Sequence, residues 1–504
     1  MFSTDVPERT VPPIAWEDWT PGVFARAKDE GRPVLLSISA NWCHGCAVMD
    51  NVAFADSRVV DLVAREFIAV RIDADRRPDI NDRYNLDGWP TTALLTPSGE
   101  ILTGSTYLPA DALLSMLTEV ATAYRTGRAS LDERAEAHAR ARHQQPRTRG
   151  AGVEPDLAAP AWVARQVVDQ CDPDHGGFGA DGKFLHVPAL HVAIAEYERT
   201  KEEALARAIT RTLDGMADGD VHDQVDGGFF RYAAGRDWSR PHTEKLLDDQ
   251  AGIAGVYLEA ARVFGHDRWR DVAIDTIRFV RAALASEADA VFFASLAADD
   301  AYYEVRTRSL RRTLSPPRVD RTSLTDATAR AASVWIRAGA VLPDPVVAEI
   351  GARALDRIVT RTYAPGQGLA HWIDGEVGYR GLLTDQVFPA FALLDLHEAT
   401  GNPTFSMLAE ELMRTALRTH WDAASGALAD RVIEPGDVGQ LRDPAIPAAA
   451  NAMAARVLAR LSRLTGDPVL QDRALDVLRA LTPGSRQQGL FGAGYALAIL
   501  DVLR

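Results

Sequence analysis

Cys43-His44-Gly45-Cys46 stands at the junction of two patterns, and that junction restricts the fold more than any other feature of the chain. Residues 33–40 form an apolar, β-branched run between Gly31 and Trp42, the mark of a buried central strand. From Ala47 onward no breaker interrupts the next segment, so a helix is expected there. A strand that delivers Cys43 to a helix N-terminus sets its sulfur among free N–H groups at the positive end of the macrodipole. That setting stabilises a thiolate and lowers the thiol pKa below the ~8.5 of free cysteine. Two thiols so spaced close a disulfide and reopen it, which makes a two-electron switch. Residues 67–73 read as a second buried strand. Residues 88–100 read as a loop, a strand, a Ser98-Gly99 turn and a further strand.

A bare CxxC is also half a zinc site, but structural zinc takes four ligands and Cys171 is the only other cysteine. A permanent disulfide fits poorly with a chain lacking a signal peptide, because the cytosol keeps such pairs reduced. An idle CxxC in a binding domain remains the third alternative. His44, between the cysteines, is expected to tune the thiolate rather than to ligate a metal.

Residues from about 14 to 110 resemble the thioredoxin-like domain of the spermatogenesis-associated protein 20 (Ssp411, DUF255) family. The resemblance rests on Trp16 and Trp19, the phrase Arg32-Pro33-Val34-Leu35-Leu36-Ser37-Ile38, and the cysteine motif with Val48-Met49. It continues through residues 70–80, Gly88-Trp89-Pro90 and Thr106-Tyr107-Leu108-Pro109. It implies that Cys43 attacks a protein or small-molecule disulfide and that Cys46 resolves the adduct. Pro90 sits where thioredoxins carry a cis-proline facing the disulfide, and is expected to shape the docking edge. Two departures matter. Gly45 stands where relatives usually carry an aromatic residue, and Ser37 where thioredoxins bury an Asp that assists the second cysteine. Proton transfer at Cys46 then needs another group or water, so weak general reductase activity is expected.

The rest of the chain narrows the function classes. At 504 residues two or more domains are expected. A formal charge of −15 argues against a nucleic-acid partner, which wants a basic face. The arginines at 306, 308, 311, 312, 318 and 321 surround Ser315-Pro316-Pro317 and read as a solvated loop. The first residues have neither a basic n-region nor an apolar h-region, and no run approaches the ~18 apolar residues of a membrane span. The expected location is the cytoplasm, with no membrane partner, no cofactor and no metal. Between about 125 and 160 the chain loses large apolar residues. Residues 131–143 are expected as an extending surface helix and 145–152 as a true break.

Beyond residue 155 the short apolar runs give way to long segments of 3.6-residue period. The segment opened by Asp249-Gln250 repeats at Asp385-Gln386, so that Leu258 falls on Leu394 and Gly265 on Gly401. Weaker copies start near Thr325-Asp326 and Asn451. Each copy is a helix, a Gly-centred turn and a second helix. The count is about twelve helices in six hairpins, which close as a ring. The family resemblance continues here on His175-Gly176-Gly177-Phe178-Gly179, Lys183-Phe184, Asp226-Gly227-Gly228-Phe229-Phe230-Arg231-Tyr232 and residues 238–250. It implies a domain similar to six-hairpin glycosidases and N-acylglucosamine 2-epimerases. The expected fold is therefore an α/β thioredoxin-like N-terminal domain (1–125), a linker (126–155) and an all-α (α/α)6 toroid (156–504).

Glu244 and Asp248 share one helix face, with His242 just before them and Arg231 and Trp238 on the preceding loop. These five are the candidate binding residues for a small polar ligand of carbohydrate type, where grouped carboxylates perform acid–base work. The repetition of Asp-Gln favours a helix-capping role for Asp249 and Gln250. His371-Trp372 lies on a loop that could face the same mouth, and Cys171 reads as a buried inert thiol. Three functions follow from these residues: a thiol–disulfide oxidoreductase coupled to a ligand-binding toroid, a carbohydrate-active epimerase or hydrolase docked through its first domain, and a binding protein without turnover.

Overall fold

The computed structural model describes residues 13–144, 153–179, 182–342 and 344–503. The N-terminal stretch before residue 13 and the break expected at 145–152 lie outside the described residues. The chain divides into two compact units, one of residues 1–146 with 433–444 and one of 147–432 with 445–504.

The first unit is built on a four-stranded sheet in the order β2-β1-β3-β4, with β1 Val34–Ser39, β2 Ile68–Asp73, β3 Thr91–Leu95 and β4 Ile101–Ser105. β1 pairs parallel with β2 from Val34↔Ile68 and antiparallel with β3 from Val34↔Leu95. β3 pairs antiparallel with β4. A strand covered on both faces reads as a continuous apolar run, and Val34, Leu35, Leu36 and Ile38 are fully buried. The helices are α1 Pro21–Glu30, α2 His44–Val52, α3 Ser57–Glu66, α4 Pro78–Tyr84 and α5 Ala110–Gln144. Thr20 caps α1 and Gly31 ends it in the left-handed conformation; Asp56 caps α3. Met49 of α2, Val59 and Val63 of α3, and Leu113 and Leu117 of α5 pack on Leu35 and Leu94 of the sheet.

The surface helix expected at 131–143 is the end of α5, which runs to Gln144 with Gly127 alone outside helical angles. Residues 433–444, expected as part of the helical domain, group with the first unit. The cause is polar: Tyr84 Oη donates to Gly99 O at 2.7 Å and accepts from Gln440 N at 2.9 Å. The Arg83 guanidinium also holds the carbonyls of Gln440 and Asp443. Such a tie leaves no hydrophobic period in the sequence.

In the second unit twelve long helices appear among the described residues. They are α6 Ala159–Gln170, α7 Val187–Thr200, α8 Glu203–Asp218, α9 Leu247–Phe264, α10 Asp267–Ala283, α13 Thr325–Ala338, α14 Val346–Thr362, α15 Thr384–Thr400, α16 Pro403–Thr419, α17 Ala448–Thr465, α18 Pro468–Ser485 and α19 Ala493–Leu503. Two single-turn helices, α11 Asp300–Tyr303 and α12 Arg308–Arg311, lie between α10 and α13. Helices α7, α9, α13, α15, α17 and α19 pack in that order as an inner ring, which α19 closes against α7. The others lie outside, each against an inner helix, and α6 packs on α19 and α7. This is an (α/α)6 toroid. Gly265, Gly401 and Gly466 cap α9, α15 and α17 with φ of 66°, 69° and 73°, as the repeats require. The links that follow most inner helices are turns of a few residues. Those that precede them, the one before α19 excepted, are long and carry short antiparallel strands. The N-termini of the inner helices therefore share one end with the elaborated loops, where binding groups concentrate in such scaffolds. Among the described residues no helix is long and apolar enough to cross a membrane.

Candidate functional site

Cys43 is the N-cap of α2, and its Sγ accepts the N–H of Cys46 at 3.1 Å. The two sulfurs are bonded to each other. The Trp89-Pro90 bond is cis, as the resemblance implies. Pro90 lies against the first turn of α2: a Cβ on Gly45 would come within 3.2 Å of Pro90 Cδ and 3.5 Å of Trp89 O. The indole rings of Trp42 and Trp89 meet edge to face at 5.4 Å, anchored by Asp75 and Asn81 respectively. Cys43 keeps only 7% of its surface exposed and Cys46 3%, so both cysteines are largely covered. His44 is exposed and Ser37 is buried.

The second site lies at the loop end of the toroid and begins with scaffolding. Gln250 bridges both backbone groups of Phe229, taking its N–H at 2.7 Å and giving to its carbonyl at 2.7 Å. Gln386 does the same for Leu369, and Asn451 for Leu428. The repeat thus clamps these three loops to the inner helices that follow them. The Gly-Gly-Phe loops add a buried lysine each. Lys183 pairs with Asp172 and Lys245 with Asp223, both at 2.8 Å, with no side-chain exposure. Desolvation brings Lys245 down to about 8. Gly177 and Gly228 have φ of 68° and 72°, and a Cβ there would strike Trp238 and Phe279, each at 2.4 Å.

Of the five predicted ligand residues, three come together. Arg231 and Glu244 face each other at 3.7 Å. Asp248, in the first turn of α9, pairs with Arg330 of α13 at 2.7 Å. Its side chain keeps 47% exposure, and desolvation by the surrounding protein raises its pKa. Trp238 is not among them. It is 1% exposed, sits under the Gly-Gly loop and donates to His175 O at 2.9 Å, so it braces the scaffold. His242 is exposed and stacks on Tyr232 at 4.0 Å, which stacks in turn on Phe184. Cys171 is half-buried, and burial pushes its thiol up.

The expected capping role of Asp249 is not what the structure shows. The N-cap of α9 is Leu246, without a side-chain bond, and Asp249 Oδ2 is buried with no hydrogen-bond partner. The helix starts at Leu247, which carries Asp249 past the capping position. Burial and the neighbouring Asp248 push its carboxyl up to about 7, against the opposing pull of Arg231. Asp385, its repeat counterpart on α15, also has a buried Oδ2 without a partner, and burial lifts it to about 6. Its Oδ1 meets His371 Nδ1 at 2.9 Å. Asp326 of α13 lies beside them and 3.7 Å from Arg330. Asp326, Arg330 and Asp385 had no functional assignment in the sequence, although the Asp-Gln repeat marked position 385. Arg231, Glu244, Asp248 and Arg330 are the charged groups of this candidate recess at the loop end of the toroid.

The fold and its two sites define a class: a dithiol domain of thioredoxin type joined to an (α/α)6 toroid. Residues 3–142 match the domain family described as "Protein of unknown function, DUF255", and the N-terminal domain is thioredoxin-like. The chain is similar to an uncharacterized protein of Caenorhabditis elegans, 29% identical over 307 residues, covering 57% of this chain and 42% of the other. It is likewise similar to spermatogenesis-associated protein 20 of Rattus norvegicus, 28% identical over 289 residues, covering 53% of this chain and 37% of the relative. The match thus spans about two-fifths of the length of these curated relatives. Among solved structures, cellobiose 2-epimerase from Spirochaeta thermophila superposes with a TM-score of 0.56 at 17% identity, covering 69% of this chain and 95% of that one. At that identity the likeness is one of fold.

Proposed function

We propose that the chain is a thiol–disulfide oxidoreductase working through Cys43 and Cys46. The observation that carries this is the N–H of Cys46 donated to Cys43 Sγ at the head of α2, which favours the thiolate once the disulfide is reduced. The Cys43 thiolate attacks a protein or small-molecule disulfide. A Cys43–substrate disulfide forms, and the leaving sulfur departs as a thiolate and takes a proton from water. Cys46 then attacks Cys43 Sγ, the substrate leaves reduced, and the protein keeps the two-electron oxidation as its Cys43–Cys46 bond. Pro90, packed on the first turn, borders the edge where the partner strand docks. A dithiol that turns over in this way fits a reducing compartment, the cytoplasm. The test uses the full chain with Cys46→Ser and oxidised glutathione. A stable adduct at Cys43, absent from Cys43→Ser, supports the assignment; no adduct and no reduction of any disulfide by the wild type overturn it.

A second reading concerns the toroid and rests on Asp249, in the first turn of α9, whose Oδ2 is buried without a hydrogen-bond partner. The recess binds a small polar ligand of carbohydrate class and performs acid–base chemistry on it, in keeping with the epimerase-like fold. Sugar binding or turnover that is lost in Glu244→Gln and Asp249→Asn supports this reading. Turnover unchanged in both variants removes it.

A further inference from the structure

Asp326, His371 and Asp385 meet where the first turns of α13 and α15 face the strand Ala370–Asp374. One ligand-capable atom of each lies within 4.8 Å of the others. His371 and Asp385 have 2% and 0% side-chain exposure, and Asp326 keeps 20%, so the cluster opens to solvent on one side only. Asp385 uses Oδ1 on His371, at 2.9 Å. Its Oδ2 is buried and accepts nothing. An acceptor removed from water without a donor loses its hydration and receives no bond in return. The loop does not require it, because Gln386 alone clamps Leu369 through three hydrogen-bonding atoms of that residue and Leu382. Arg330 does not answer it either: it is 2.7 Å from Asp248 and 3.7 Å from Asp326.

We propose that Asp326, His371 and Asp385 form a binding site for one first-row divalent cation of the Mn²⁺ or Zn²⁺ class. Two carboxylates with one imidazole are a donor set that such ions accept, and softer or harder ions match it less well. Oxygen and nitrogen ligands at about 2.0–2.2 Å from one ion lie roughly 3–4.4 Å from each other, so the cluster closes on an ion with shifts of a few tenths of an ångström. The cation supplies the electropositive partner that Asp385 Oδ2 lacks. Three protein ligands leave coordination positions for water or for an oxygen-rich ligand in the recess. The site is independent of the dithiol.

The test is calorimetric titration of the full-length chain, treated with chelator and kept in its disulfide form so that Cys43 and Cys46 do not compete. Mn²⁺ is the probe, because thiolates select other metals. The expected result is one saturable site per chain, weakened about 100-fold or more in Asp385→Asn and His371→Ala. Asp326→Asn removes a ligand from the open side without touching the buried pair. It is expected to weaken Mn²⁺ equally while leaving the urea unfolding midpoint in place. Absence of saturable binding in the wild type, or binding unchanged in Asp326→Asn and Asp385→Asn, overturns the proposal.

Discussion

Replacing Asp249 by Asn offers a sharp test of the recess. The carboxyl is pushed from its ordinary 3.8 to about 7 by burial and by Asp248. The sign follows from linkage. A carboxyl raised in the native state binds its proton more tightly there than in the unfolded chain, so its contribution is fully present below the unfolded value and is lost as pH rises through the native one. At 1.36 kcal/mol per pH unit, ionising Asp249 in place costs the native state about 4 kcal/mol by pH 8. An amide of the same shape carries no such cost. Asp249→Asn is therefore expected to match the wild type near pH 4 and to exceed it by up to about 4 kcal/mol at pH 8. Urea unfolding of both proteins at the two pH values reads this directly, with unchanged m-values showing that the same surface unfolds. A variant that tracks the wild type at both pH values, or that is weaker only at pH 8, refutes the reasoning; the latter result would mean that the ionised carboxylate has a partner.

Three further outcomes follow from the scaffold. Gln250→Ala leaves the buried N–H and C=O of Phe229 unpaired and is expected to cost about 2–4 kcal/mol in urea unfolding. Gly228→Ala meets both a φ of 72° and the Phe279 ring, so a loss of about 3 kcal/mol and poor expression are expected; neutral behaviour would contradict the geometry. Trp238→Phe keeps most of the ring but loses the bond to His175 O. It should cost about 1 kcal/mol and leave ligand binding unchanged, whereas a binding defect without a stability defect would return Trp238 to the recess.

The elements that the sequence announced are those governed by local physics. β1 is a continuous apolar run because both its faces are covered, and the Gly ends of α9 and α15 are written in single residues that need positive φ. The Asp-Gln repeat was visible, but its meaning was not. Gln250 and Gln386 reach across to loop backbone, while Asp249 and Asp385 turn inward, and only tertiary placement separates the two roles. Asp326 and Arg330 show helical spacing in the sequence, yet Arg330 completes its pair with Asp248 from a different helix. The grouping of residues 433–444 with the first unit depends on hydrogen bonds to Tyr84 and Arg83, which leave no periodic trace.

The account turns on the state of one sulfur. Burial raises a thiol pKa, while the N–H of Cys46 and the head of α2 lower it; with the donor 3.1 Å away, the lowering is expected to prevail. The rate of iodoacetamide alkylation of Cys43 against pH, measured in the reduced Cys46→Ser chain, reports that balance. A midpoint clearly below the ~8.5 of free cysteine is predicted. A midpoint at or above it, or a Cys43 that does not react at any pH in the folded protein, contradicts the assignment.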